Sequence, residues 1–401
     1  MDKKNKNPNV PNLRFREFSL SWHQTPIKDL LSFQNGINGA PEQYGKGIKY
    51  ISVGDILNND YITYDKIVGS IDISQETLKN YSVTYGDILF QRSSEIKDDI
   101  GRTNVYLDKD NTATFGGFVI RGKKIGDYNP SFFSFLLKSP SSRKSIVRLG
   151  AGAQHYNIGQ ENIKTLSFYF PNEIEQVKIA NLLSKIDKRI QTQIKIIELK
   201  QSLIKDIEDR ILWKTTNTQT KPIREFLTEI NDKSIIQNQY PLLSSTKKGL
   251  FLQTDYFNKE AASSNNIGYK IVHKGDIIIS PQNLWMGNIT YNDKFDNGLV
   301  SPSYRIYKVK KEYNAFYISR ILMSYRALSL YKNISEQGAS IVRRNLNVDA
   351  FNELRFPIPN IKKQDEVGLF LSKLHQELNY ETWILMQLKS QKNYLLNNMF
   401  I

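Results

Sequence analysis

No cysteine occurs anywhere in the 401 residues. That excludes disulfides, thiolate metal sites and cysteine nucleophiles, and fits a reducing compartment. Histidine is almost as scarce. His23, His155, His273 and His375 are scattered rather than three to five residues apart, so no zinc site, and no metal, is expected. Long apolar runs are missing as well: nowhere do eighteen apolar residues follow one another, and Met1 to Val10 is polar, without the apolar stretch of a secretion signal. The expectation is a soluble, cytoplasmic chain with no membrane attachment.

Acidic residues are in deficit, 40 Asp and Glu against 55 Lys and Arg, for a formal net charge of +15. Such a surface attracts polyanions such as nucleic acid. A compositional bias that raises Lys, Asn, Ile and Tyr together would do the same, so charge alone names no partner. Catalytic motifs are also wanting. Gly117 to Lys124 has the spacing of a P-loop, but Lys124 replaces the magnesium-binding Ser/Thr and the interior reads as a strand. Gly150-Ala151-Gly152 opens like a dinucleotide fingerprint, yet His155 stands in place of the third glycine. Nothing resembles the Asn-Pro-Pro-Tyr site of amino-methyltransferases, a Ser/His/Asp arrangement or a carboxylate and lysine nuclease core. A non-catalytic chain is expected.

What is present is a repeat. Pro171, Gln176 and Leu183-Ser184-Lys185 recur as Pro359, Gln364 and Leu371-Ser372-Lys373, all displaced by 188 residues (359 less 171). Upstream, Pro26-Ile27 answers Pro222-Ile223, Gly86-Asp87-Ile88 answers Gly275-Asp276-Ile277, and Gly152-Ala153 answers Gly338-Ala339. Self-similarity of this kind decides architecture before local propensities do. Each repeat opens with strand signals, Lys49 to Val53, Asp87 to Phe90 and Asp276 to Ile279, broken by Gly, Asn and Asp turns. Phe132 to Lys138 and Ala315 to Tyr325 read as short helices, so each repeat is an α+β globule of mixed α/β character.

Beyond the prolines the apolar period changes to 3.5. The first seam runs Ile179, Leu183, Ile186, Ile190, Ile197, Ile204, Ile207 and Ile211, broken by Gln193 and Lys200. The second runs Val367, Leu371, Leu374, Leu378, Leu385, Leu388, Leu395 and Met399, broken by Glu381 and Lys392. About five heptads in matching phase indicate coiled coil, each helix on the order of 60 Å long. Two similar units in one chain should pack about a pseudo-two-fold axis, making the helices antiparallel with a globule at either end. In that register Lys200 faces Glu381; in a parallel one Gln193 would lie beside Glu381.

Pro11-Asn12-Leu13-Arg14-Phe15-Arg16-Glu17-Phe18, followed by Trp22, resembles the opening of the type I restriction-modification specificity subunits (S, or HsdS). Pro171, Glu175-Gln176, Ile179, Leu183, Asp187 and Ile190 are similar to the spacer of that family, and the resemblance runs from Pro11 to the C-terminus. The second spacer departs from the pattern, with Lys363 and His375 in place of Glu175 and Asp187. The resemblance implies an N-terminal segment (1–17), target recognition domains at 18–170 and 215–358, and spacer helices at 171–214 and 359–401. Each domain would read one half of a bipartite, asymmetric site in double-stranded DNA. Two methyltransferase subunits would pack on the chain, and two restriction/translocase subunits can join them. S-adenosylmethionine, ATP and magnesium would belong to those partners, with no cofactor bound by this chain.

Base readout needs planar donors at a groove edge, which loops deliver best. The candidates are Gln91, Arg92, Ser93, Gln154, His155 and Tyr156 in the first repeat, and Gln282, Asn283, Arg343, Arg344 and Asn345 in the second. Ile186, Ile190, Ile197, Lys200, Ile204, Leu374, Leu378, Glu381, Leu385 and Leu388 are the candidate coiled-coil and partner residues. Two other readings stay open: a coiled-coil interaction or scaffold protein, and a stand-alone DNA-modifying enzyme. Discrimination between DNA sequences beyond salt-labile attraction separates the first, and modification of DNA by the chain unaided separates the second.

Overall fold

Both repeats begin with the same short pattern of strand, helical turn and strand. In a computed structural model that describes residues 9–247, 249–256, 265–337 and 344–401, His23–Pro26 leads through Ile27–Leu30 into Leu31–Asn35, and Gln219–Pro222 through Ile223–Phe226 into Leu227–Ile230. The proline in each holds the extended backbone before the turn, and the isoleucine after it is fully buried.

Each repeat then builds one four-stranded antiparallel sheet in the same order. In the first the order is Leu31–Asn35, Val119–Lys124, Ile88–Gln91, Thr103–Val105; in the second it is Leu227–Ile230, Arg305–Val309, Ile277–Ile279, Ile289–Tyr291. Ile88, Leu89 and Phe90 are all buried, as are Ile277, Ile278 and Ile279, which is why these strands read as unbroken apolar runs. The P-loop-like segment is a strand over Val119–Lys124, with the Arg121 side chain held by Ser82 and Gln34.

The shared Gly-Asp-Ile motif has a structural reason. Gly86 and Gly275 take φ of 95° and 94°, which glycine alone adopts without strain. The buried carboxylates of Asp87 and Asp276 accept backbone N–H groups, Asp87 from Lys124 at 2.9 Å and Asp276 from His273 at 2.7 Å. Burial pushes both carboxyl pKa values up against the pull of those donors. Gly54-Asp55-Ile56 is a coincidence of letters: it lies in a short helix capped by Ser52, with Asp55 closing a capping box.

Two boundaries differ from the sequence reading. The strand through Lys49 ends at Ile51, because Ser52 caps a helix that starts at Val53. Ala315 to Tyr325 is not one helix: it stops at Leu322, and Ser324 caps a second one over Tyr325–Asn333. A further helix, Pro140–Val147, starts at Ser139-Pro140, a capping residue followed by a first-turn proline.

The long helices are Glu173–Lys214 and Ile361–Asn398, of 42 and 38 residues. The chain divides into two compact units, residues 1–194 with 383–401 and residues 195–382. In the first, Ile179, Leu183, Ile186 and Ile190 share a core with Leu388, Leu395 and Met399 and with Trp22, Phe132 and Phe170. In the second, Ile207, Ile211 and Leu212 join Val367, Leu371 and Leu374 against Phe226 and Phe356. The heptad seam is therefore also part of each globule's core.

The polar breaks in the seam fix an antiparallel arrangement within each unit. Lys392 reaches Asp187 at 2.5 Å in the first. In the second, Lys200 lies 2.7 Å from Glu381 and 3.5 Å from Glu377, and His375 lies 2.8 Å from Glu208. The expected Lys200 and Glu381 contact is present. The departures of the second spacer find partners too. Glu175 is buried under a two-point ion pair from Arg14, 2.7 Å to each oxygen, beside the Trp22 indole, whereas Lys363 stands exposed and pairs with Glu366. His375 and Arg320 both bind the buried Glu208, Arg320 at 2.6 and 2.9 Å.

A glutamine near the start of each long helix joins it to its globule. Gln176 accepts the N–H of Asn129 at 2.9 Å and donates to the Pro171 carbonyl at 3.0 Å. Gln364 repeats this with Asn314 at 3.0 Å and Pro359 at 2.8 Å.

The ion pairs can be tested by unfolding. Lys200→Glu and Glu381→Lys should each destabilise the chain in urea, and the double variant should regain about 0.5–1 kcal/mol of coupling; a purely additive cycle would show that the pair does not set register. For Glu208, burial alone would raise the carboxyl pKa, but the hydrogen bonds of His375 and Arg320 outweigh it and hold it below the usual value. Its stabilisation is therefore present above the unfolded carboxyl pKa and lost as pH falls through the lower folded one. Glu208→Gln should cost on the order of 3 kcal/mol at pH 7 and flatten the acid limb of the stability profile; an unaltered acid limb would exclude this role.

Candidate nucleic-acid interface

In the first unit the fold brings the two predicted segments together. Ser93–Ser94 pairs antiparallel with Tyr156–Asn157, the Ser93 hydroxyl donates to Asn157 Oδ1 at 2.5 Å, and the Ile158 N–H reaches the Arg92 carbonyl at 3.0 Å. The central strand thus runs straight into a ladder with the loop that carries Gln154 and His155. That loop is closed by a bridge between Ala151 and Asn157. Gly152 takes φ of 135°, and a Cβ there would lie 2.0 Å from the His155 carbonyl oxygen, so only glycine makes this turn.

The candidates differ in what they present. Gln154 and His155 are exposed at the loop tip, and Tyr156 is half-buried against the core. Arg92 is exposed, its guanidinium 3.3 Å from the Gly117 carbonyl beside the outward Phe118. Gln91 is buried, and its amide donates to the Ser93 carbonyl at 2.9 Å, so its side chain shapes the turn instead of facing solvent.

The second unit brings the corresponding segments together by a different pairing. Gln282 and Asn283 follow the strand Ile277–Ile279, and the Arg344 N–H donates to the Gln282 carbonyl at 3.2 Å. Arg344–Leu346 pairs antiparallel with Ser335–Gln337. Arg344 stacks its guanidinium 4.8 Å over the Trp285 ring, while Gln282 and Asn345 are exposed. Asn283 is half-buried, its carbonyl taking the N–H groups of Met286 and Asn288. Arg343, like Gly338 and Ala339, lies outside the described residues.

Sequence reasoning missed the residue that braces the first site. Arg143, on the helix Pro140–Val147, donates to the carbonyls of Gly101 and Ile100 at 2.7 Å each and of Asp98 at 3.0 Å. Burial brings its pKa down to about 10, so it stays charged at neutral pH. Gly101 N–H in turn donates to the Gln91 carbonyl, and Gln91 N–H to that of Arg102, which carries the clamp to the end of the central strand. The local signal was the capped helix start at Ser139-Pro140; the clamp itself spans some forty residues and has no local signature. Trp285, the platform for Arg344, was missed as well.

No described helix is long and apolar enough to cross a membrane. Residues 21–201 match the family described as type I restriction modification DNA specificity domain. A curated relative from Methanocaldococcus jannaschii, named type I restriction enzyme MjaX specificity subunit, is 22% identical over 420 residues, covering 98% of this chain and 96% of that one. Among solved structures, the S subunit of a type I restriction-modification system from M. genitalium has a TM-score of 0.57 at 17% identity, covering 98% of this chain and 99% of that one. A chain from a structure addressing complex assembly and conformational transition of the type I R-M system has a TM-score of 0.57 at 10% identity, covering 94% and 96%. Residues 21–201 thus match the type I restriction modification DNA specificity domain family, and the chain shares its overall fold with the M. genitalium S subunit.

Proposed function

We propose that this chain is the DNA sequence-recognition subunit of a type I restriction-modification complex. Its target recognition domains, 18–170 and 215–358, each read one half of a bipartite, asymmetric site in double-stranded DNA. The spacer helices at 171–214 and 359–401 scaffold two methyltransferase subunits, and two restriction/translocase subunits can join the assembly. Adenine methylation and ATP-dependent cleavage reside in those partners, with S-adenosylmethionine, ATP and magnesium, in the cytoplasm. The observation that carries this reading is that in each unit a second segment is hydrogen-bonded to the chain just after the central strand, through a ladder in the first and through the Arg344 N–H in the second, and that these segments present planar polar groups to solvent, Gln154 and His155 in one, Gln282 and Asn345 in the other. Amides and imidazoles placed on a braced loop suit base edges in a groove.

Methylome sequencing of a host lacking its own systems tests the reading. Expressed with its neighbouring methyltransferase, this chain should produce modified adenines in a bipartite motif with an unread gap, and the methyltransferase alone should not. Gln154→Ala with His155→Ala should relax one half-site, with discrimination there falling by about 1–3 kcal/mol, and Gln282→Ala with Asn345→Ala the other. Unchanged motifs in both variants would show that these loops do not read bases. No motif with a soluble assembled complex would favour the interaction-protein reading.

A further inference from the structure

We propose that a basic groove in the first unit, formed by Lys97, Arg143, Lys144 and Arg148, grips the phosphodiester backbone of DNA next to the half-site read by loop 151–157. This rests on the DNA-recognition reading and adds a second, sequence-independent contact to it. Pro140, Arg143, Lys144, Val147 and Arg148 recur at spacings of three and four and so share one helix face, while Ser142 and Ile146 turn into the core. Opposite that face lie Lys97 and Asp98, and the space between holds about 560 Å³. Four cations against the one carboxylate of Asp98 leave three net positive charges on its walls.

Several other cations of the unit are neutralised by a neighbouring carboxylate. Arg102, Lys164 and Lys178 are paired with Asp99, Glu161 and Glu17, whereas among the described residues Lys97, Lys144 and Arg148 have no carboxylate within salt-bridge distance. Arg143 forms a fixed floor, because its three carbonyl contacts hold its position without neutralising its charge.

The groove is also rigidly continuous with the reading loop. Two residues after Arg148 stands Gly150, packed so closely under Ile100 that a Cβ there would lie 2.7 Å from Ile100 Cγ2, and next comes Ala151, bridged to Asn157. A phosphate held here would set the register of the loop tip on the duplex, as phosphate contacts do. The matching helix of the second unit, Tyr325–Asn333, turns its arginine elsewhere: Arg326 lies 3.4 Å from Asp209 and over the Trp213 ring. The grip is therefore a property of the first unit.

The test is the salt dependence of binding of the full chain, co-purified with its methyltransferase, to a duplex carrying the methylome-defined site and to an unrelated duplex. Lys144→Ala with Arg148→Ala should make the slope of log K against log salt shallower by about two, near 0.9 for each phosphate no longer neutralised. The ratio of specific to unrelated affinity should hold within about threefold. A matched removal of charge at Lys28 and Lys79, exposed residues of the same unit, should leave the slope within half a unit. An unchanged slope in the groove variant, an equal change in the matched variant, or a collapse of the specificity ratio would each overturn the groove while leaving DNA recognition standing. Wild-type complex that does not prefer its site would instead overturn the recognition reading on which the groove depends.

Discussion

The buried glutamine at the head of each long helix is the constraint from which the rest of each unit follows. Its amide satisfies two backbone groups at once, an N–H at the start of a globule helix and a carbonyl at the entrance to its own helix. Asn129 and Asn314, whose N–H groups it accepts, cap those globule helices in turn, each taking a backbone N–H at 2.9 Å. Removing either amide would orphan buried polar groups at about 1–3 kcal/mol apiece. Helix, cap and sheet are thereby fixed to one another, and the polar loops at the far end of the sheet inherit that rigidity.

Sharing of the same kind governs the seam. Leu183 and Ile186 serve both a helix pair and a globular core, so the helices do not have to be stable as an isolated coiled coil. In return, aromatic residues from the globule, Trp22 and Phe132 in one unit and Phe226 and Phe356 in the other, must complete the seam's outer wall. The short N-terminal segment belongs to the same scheme, since the Arg14 guanidinium neutralises Glu175, a carboxylate with no exposure of its own.

How much of this is legible in the sequence depends on the range of the interaction. Pro171 with Gln176, and Pro359 with Gln364, mark the duplication because a local brace needs those residues at that spacing. Lys200 and Glu381 can be paired in advance because heptad phase converts sequence position into facing position. Element ends depart from the sequence reading where a serine at 52 or 324 overrides an apolar run. The candidate recognition loops are legible as places and much less so as roles. Gln91 and Arg344 are polar and stand at strand ends, as readers should, but one is drawn into the core beneath its own loop and the other lies on Trp285. Such outcomes depend on neighbours far away in the chain, and residue type alone does not encode them.

The lysine in the first seam has a further consequence. An apolar heptad repeat by itself tolerates sliding by seven residues, since each leucine or isoleucine finds another in its place. With Lys200 bound to Glu381, a slide of one heptad would press the ammonium against Leu374 or Leu388 and strand the carboxylate, and a charge set against apolar side chains without a partner is strongly unfavourable. The pair therefore acts as a detent: out of the many seatings that a greasy seam would accept, the helices keep one.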